Sequence, residues 1–243
     1  AGAGESHAAS TNEPGLIAAQ PWSIKERLSL EKTAVGFCLS GHLFDQSADE
    51  VRQIVKRCIV DLLDQEADSR DGQLLAGIVN DLRVVNGARG RLAIFKLDDN
   101  TGQIEAVVTE ELLSAHRDWL KDDELIIAQG KLQPDRYAGG LRLQVVQIWD
   151  LAAARCRFGK YLRVEVDGRL PPVAELLRDF PARGVSTEHG DLTQGLRVRL
   201  RLRRQHASGE LDLGEEARFY PSDAALVRWR DSADDGQASV VYE

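Results

Sequence analysis

The sequence predicts a mixed, mainly β protein with a helical N-terminal segment, a five-stranded barrel and a small α+β C-terminal domain. Three observations carry this. Val51, Ile54, Val55, Cys58, Ile59, Leu62 and Leu63 recur with the period of one helix face. After residue 72 the apolar period changes to two, in runs broken by Asn-Gly and Asp-Asn-Thr-Gly turn chemistry. From Arg155 onward strand-like and helix-like runs alternate in a short length, which is the pattern of an α+β unit.

Taken in order, residues 1–20 open AGAGESHAASTNEPG, a small and polar stretch that cannot bury apolar surface and is expected to be a disordered linker. The chain contains no Met and is expected to be a piece cut from a longer protein inside that linker. Residues 21–72 form the helical segment, with helices over Ser23 to about Val35 and about Ala48 to Leu63. Between them Gly36 is placed as a helix C-cap, and Ser40 or Asp45 as the start of the next turn.

Residues 73–154 hold the barrel. LLAGIVNDLRVV, RLAIFKLDDNTG and QIEAVVTEEL read as a three-stranded meander, SAHRDWLKDDE as a short helix, and ELIIAQGKLQ and LRLQVVQIWDL as two strands around the loop PDRYAGG. Three strands, a helix that plugs one barrel end, then two strands is the order of the OB-fold. Residues 155–243 follow with the strand-like YLRVEV, the helical VAELLRDF, the run GLRVRLRLRR, an LDLG turn, the helical SDAALVRWR and a terminal ASVVY.

Composition excludes several functions. The formal net charge of −8 and pI near 5.3 oppose generic phosphate binding, so contact with nucleic acid must be local and weak. Cys38, Cys58 and Cys156 are far apart, which suggests neither zinc nor disulfides and fits a reducing cytoplasm. No apolar run approaches a membrane span, and no membrane partner is expected. Phosphate-loop, zincin and nucleophile-elbow motifs are absent, and no catalytic residue, metal ligand or cofactor is assigned. Cys38 and His42 suggest a nucleophile and base, but no orienting group or electropositive setting accompanies them. Cys38 is read as a small hydrophobe beside Phe37 and Leu39, and His42 as a cap. The pairs Asp98–Asp99 and Asp122–Asp123 are read as turn chemistry.

Two surfaces stand out. Arg89, Arg91, Lys96, Lys131, Arg136 and Tyr137 fall on the first interstrand loop, the second and fourth strands and the last hairpin loop, where OB-folds meet single strands. Leu196 to Arg204 alternates Leu or Val with arginine. Arg197, Arg199 and Arg201 therefore share a face that either pairs with neighbouring carboxylates or docks a partner. Lysine and arginine equal aspartate and glutamate, 15 of each, from Arg155 to Glu243, so a protein ligand is favoured over DNA there. Among its aromatic residues Phe219 and Trp229 are expected in the core, and Tyr242 at an interface.

The run SLEKTAVGFCLSGHLFD, Ser29 to Asp45, resembles a helix-joint signature of the bacterial DNA polymerase III alpha subunit family, E-K-x-x-L-G-F-Y-L-S-G-H-P, with Cys38 and Leu43 in place of Tyr and Pro. GRLAIFKLDDNTGQIEAVV with GKLQPDR is similar to that family's OB domain, and LDLGEEARFYPSDAALVRWR to its terminal domain. The resemblance implies a non-catalytic C-terminal region. Residues 21–72 would end the clamp-binding region, the barrel would meet single-stranded template DNA, and the last domain would bind the clamp-loader tau subunit. Sliding clamp and proofreading subunit would be engaged only by upstream parts, which also hold the nucleotidyltransferase centre. Two other readings stay open: the OB-fold anticodon-binding module of a tRNA synthetase-like enzyme, and a protein-interaction scaffold that binds no nucleic acid.

Overall fold

The structure, a computed structural model, describes residues 21–36, 38–63, 72–87, 90–135, 139–168, 170–187, 190–204 and 206–242. The chain divides into two compact units, residues 1–41 and 42–243. In the first, helix α1 (Ile24–Val35) starts at Ser23, whose hydroxyl accepts from the Glu26 amide while the Glu26 carboxylate accepts from the Ser23 amide. It stops at Gly36, whose φ of +90° is the left-handed conformation that favours glycine. The Glu31 carboxylate then accepts from the amides of Leu39 and Ser40 at 2.7 and 2.9 Å, which fixes the turn after the helix.

The second unit opens at His42. Its Nδ1 accepts from the Phe44 amide and its own amide donates to the Asp45 carboxylate, capping a 3₁₀ turn at Leu43–Gln46. The helix expected over 48–63 is instead two, α2 (Ala48–Ile54) and α3 (Ile59–Leu63), with Val55 extended between them. The cause lies in the barrel. Buried Asp99 accepts from the Ile59 amide at 3.0 Å and from Arg52 at 2.7 Å, so a distant carboxylate caps α3 and makes a second start more favourable than continuation.

The barrel strands are β1 (Gln73–Gly87), β2 (Gly90–Asp98), β3 (Gln103–Thr109), β4 (Leu125–Pro134) and β5 (Leu141–Trp149). Their pairing runs β1-β2-β3-β5-β4 and returns to β1, antiparallel except between β3 and β5. A helix stands between β3 and β4 as expected, but α4 spans Glu110–Ala115 and not 114–124; its partly buried Leu112 and Leu113 reach the core, and Leu120, in the turns that follow, is buried there. Ile59 and Leu62 of α3 are also fully buried in this core. Strand β1 reads as a continuous apolar run because both of its faces are covered. Leu75 and Val79 face the barrel core, while Ala76 and Ile78 pack with Phe44, Val51, Val55 and Ala154 outside it. At β5 the register with β4 jumps from Gln147–Gln129 to Val145–Gly130, leaving Val146 as a bulge. A Cβ at position 130 would lie 2.4 Å from the Gln144 carbonyl oxygen, so this close backbone approach requires glycine.

Helix α5 (Leu151–Phe158) leads to β6 (Tyr161–Val166), α6 (Val173–Asp179), the hairpin of β7 (Arg183–Thr187) and β8 (Gly190–Gln194), β9 (Arg197–Arg204), β10 (Ala207–Asp212), α7 (Asp223–Ser232) and β11 (Ala238–Val241). A second sheet, ordered β10-β9-β6-β11, packs Leu162, Val164, Val198 and Leu200 on Leu176, Phe219, Leu226 and Trp229. Phe219 and Trp229 are core residues, as the sequence predicts. The LDLG stretch read as a turn begins within β10, whose six residues are all exposed and so carry no apolar period.

Candidate nucleic-acid interface

Inward positions of the barrel strands are apolar, which leaves the outward positions to form a polar face across β2, β3, β5 and β4. One lateral row, set by the strand register, is Asn80, Lys96, Glu105, Arg142 and Gln133. In the next, Ile94 faces Val107, Val107 faces Gln144, and Gln144 faces Lys131.

The cations on this face fall into two sets. Arg83 reaches Glu105 at 3.4 Å and Lys96 reaches Asp81 at 2.9 Å, and Arg91, on the other side of β2, reaches Glu110 at 3.4 Å. These exposed pairs contribute about 0–1 kcal/mol each, but they neutralise the β1–β2 side. Lys131 and Arg142 form no ion pair among the described residues, and the Arg142 Nε is buried without a hydrogen-bond partner there. The net positive potential of the described face therefore centres on β4 and β5. Arg142 was not singled out from sequence, since an outward strand arginine looks like any solvating charge; its missing partner is what distinguishes it. Of the residues that were, Lys96 on β2 and Lys131 on β4 share the outward barrel face, while Arg91, five positions from Lys96, lies on the other side of β2 in line with Ala93, Phe95 and Leu97. Arg89, Arg136 and Tyr137 lie outside the described residues.

The arginine ladder of β9 lies on the sheet face opposite α6 and α7. Arg197 reaches Glu215 at 3.2 Å, Arg199 reaches Glu210 and Asp212 at 3.4 and 3.3 Å, and Arg201 reaches Glu165 at 3.5 Å. Arg199 also lies over the Tyr161 ring, 4.0 Å from its centroid. Tyr242 requires a correction. It is 5% exposed and its hydroxyl donates to Glu50 at 2.7 Å, because the terminal strand turns the ring inward, and it presents no surface to a partner.

A family model of the OB-fold nucleic acid binding domain matches residues 74–151. The DNA polymerase III subunit alpha of Neisseria meningitidis serogroup A is 34% identical over 211 residues, 86% of this chain. That of Escherichia coli K12 is 29% identical over 234 residues, 95% of this chain. The chain is a homologue of part of the DNA polymerase III alpha subunit. It spans 18% and 20% of the length of these two relatives. Among solved structures, a small single-stranded DNA-binding protein from Streptomyces coelicolor covers 33% of this chain at 16% identity, with a TM-score of 0.29.

In this alpha-subunit homologue the polar groups with the most buried partners are structural. The Arg155 guanidinium, 4% exposed, holds both Glu50 oxygens at 2.7 Å, Asp223 at 2.7 Å and the Pro221 carbonyl at 2.9 Å. It joins α2, α5 and the start of α7, and Tyr242 adds the chain end through Glu50. Burial pushes the Glu50 carboxyl up, but the Arg155 and Tyr242 hydrogen bonds outweigh it and hold the group below its ordinary value. Cys156 is pushed up to about 11, mainly by burial, and stays a thiol at neutral pH. Cys38 donates to the Leu28 carbonyl and His42 caps backbone; Leu39, expected beside Cys38 in a packed cluster, is exposed. Asp98 and Asp99 accept from the Asn100, Thr101 and Gly102 amides, in keeping with turn chemistry, whereas Asp122 accepts from the Leu82 amide of β1, 40 residues away. Among the described residues no helix is long and apolar enough to cross a membrane, and no three His, Cys, Asp or Glu side chains are grouped to hold a metal ion.

Proposed function

We propose that this chain is the non-catalytic C-terminal region of a replicative DNA polymerase alpha subunit, acting in the cytoplasm, whose barrel binds single-stranded DNA weakly and whose terminal domain docks the clamp-loader tau subunit. The observation that supports it best is that Lys131 and Arg142, which form no ion pair among the described residues, lie diagonally across the β4–β5 pair on an outward face of a barrel matched by a nucleic-acid-binding family model. Arg91 and Lys96 act as secondary phosphate contacts once their carboxylates are displaced, and Arg89, Arg136 and Tyr137 complete the site at the loops. Primer extension and contacts to clamp and proofreading subunit belong to upstream parts of the polymerase.

The test is fluorescence anisotropy with a labelled oligothymidylate at two salt concentrations. The double variant Lys131→Ala, Arg142→Ala is expected to weaken binding severalfold and to flatten the salt slope by about 1.4, the loss of two single-strand phosphate contacts. Unchanged affinity in a folded double variant would remove the barrel face from the assignment.

Tau docking is placed on the open face of the second sheet through Arg197, Arg199 and Arg201, which exchange intramolecular carboxylates for those of tau. Full-length chain carrying Arg197→Ala, Arg199→Ala and Arg201→Ala is expected to lose at least about tenfold in affinity for tau, since several charge-assisted contacts go at once. Equal retention of both proteins on immobilised tau would contradict it.

A further inference from the structure

A groove of about 810 Å³ opens beside the barrel, lined by Gln147 and Trp149 of β5, Cys156 and Arg157 of α5, and Thr193 and Gln194 of β8 among others. We propose that it is a second single-strand subsite, in which Trp149 stacks on a base, Arg157 meets a phosphate, and Gln147, Thr193 and Gln194 hydrogen-bond base edges. The inference rests on the reading that the barrel binds single strands, and it extends the path of that strand.

The path follows one strand. Arg142, Gln144, Gln147 and Trp149 all lie on the outward side of β5, since Leu143, Val145 and Ile148 point into the core and the bulge at Val146 restores the alternation. Arg142 and Trp149 are about 23 Å apart along an extended strand. That distance is well within the ~4–16 nucleotides one OB-fold occupies. A strand held at Lys131 and Arg142 therefore reaches the groove by tracking β5.

The groove chemistry suits bases more than phosphates. Trp149 is half-buried and fixed edge-on by Phe158, with centroids 5.4 Å apart and planes at 80°, so the indole is held in place while it lines the groove. Such a fixed ring stacks any base without sequence preference. Arg157 is exposed, and neither it nor the side chains of Gln147, Thr193 and Gln194 have a partner among the described residues. The opposite wall carries Glu215 and Glu216, and Glu215 is shared by Arg197 and Arg218. Arg218, the other arginine lining the groove, is engaged by Glu215 and the Gly195 carbonyl, so Arg157 is the arginine left to meet a phosphate and the groove adds affinity mostly through stacking. An acidic wall with glutamines is also compatible with a peptide, which makes a second class of occupant an outcome of the test.

The experiment compares oligothymidylates of about 6 and about 14 nucleotides, near the two ends of the range for one barrel. Each is titrated into the unmodified chain, Trp149→Ala and Arg157→Ala. In the unmodified chain the longer strand is expected to bind at least about tenfold more tightly, beyond the gain from extra registers. That ratio should fall about fivefold or more in Trp149→Ala, consistent with loss of one stacked base. In Arg157→Ala the salt slope for the longer strand should decrease by about 0.7, one phosphate contact, with the slope for the shorter strand as reference. Because Trp149→Ala also removes packing, a third readout uses the unmodified chain: iodouracil near the far end of the longer strand should photocross-link to the peptide containing Trp149. Ratios unchanged in both variants, or cross-links confined to β4 and the β4–β5 loop, overturn the groove while leaving the barrel reading intact. Failure of the short strand to bind overturns both. Competition by a peptide with no long-strand advantage assigns the groove to protein and also overturns the proposal.

Discussion

Replacing Arg155 by alanine is expected to destabilise the chain by about 3–5 kcal/mol, the cost of removing one partner from a buried ion pair. At roughly 2–4 °C per kcal/mol for a chain of this size, the thermal midpoint should fall by about 6–20 °C. Three groups lose their donor at once: the Glu50 carboxylate, the Asp223 carboxylate and the Pro221 carbonyl. Asp223 is well exposed and regains water, so the loss centres on Glu50, which is left with Tyr242 as hydrogen-bond donor in a partly buried site. The double variant Arg155→Ala, Glu50→Ala should therefore be more stable than the sum of the singles predicts, with a coupling of about 2 kcal/mol or more. Urea denaturation of the four proteins measures this. A single-variant loss under about 1 kcal/mol would mean that water solvates Glu50 freely and that the network does not hold α2, α5 and α7 together. It also explains why tau docking is tested on the whole chain: a fragment beginning at residue 156 would lose Arg155 and leave Tyr242 facing a missing Glu50.

Such long-range polar joints are what the sequence conceals. Barrel strands β2 to β5 are legible because one face is buried and the other wet, which writes an alternating pattern into residues such as Ala93, Phe95 and Leu97. The caps at Ser23, Gly36 and His42 are local, four residues or fewer across, and a local reading finds them. Arg155 meets Glu50 across 105 residues and Asp223 across 68, and no periodicity marks either contact. The break between α2 and α3 is hidden for a second reason. The apolar stripe runs on through Cys58 and Ile59, so the hydrophobic period signals continuation while the decisive carboxylate sits in a barrel turn. Strand β10 is invisible because none of its side chains is buried. On the candidate face, position was legible and partnership was not. Lys96 and Lys131 look equivalent in sequence, and only the fold shows that Asp81 takes one of them.

Substitution of Asp99 by alanine is the second change with a large expected effect, a loss of about 3–4 kcal/mol. The carboxylate accepts from the amides of Ile59, Thr101 and Gly102, from the Thr101 hydroxyl and from Arg52. An unsatisfied buried donor costs about 1–3 kcal/mol. The Ile59 amide is the most buried of these donors, and Arg52 at the surface regains water. Loss of the cap should free α3 from the barrel, and with it the Ile59 and Leu62 side chains that close the core. Asp99→Asn keeps one acceptor oxygen and should lose about half as much, which separates the hydrogen bonds from the charge. Acid provides an independent reading. Burial pushes the Asp99 carboxyl up, but the bonds from Thr101, Arg52 and the Ile59 amide outweigh it and hold it below its ordinary value, as Arg155 does for Glu50. A carboxylate with a lowered folded-state pKa contributes stability that is fully present above its unfolded pKa and lost as pH falls through the folded one. The unmodified chain should therefore lose stability from about pH 4 downward, and Asp99→Ala should show a shallower loss over the same interval, because the protonation of Asp99 no longer contributes a difference between folded and unfolded chains. Urea midpoints at neutral pH and across that acid interval decide it. An acid slope equal in both proteins would show that Asp99 carries no depressed pKa and that the α3 cap is not what fixes the break in the helix.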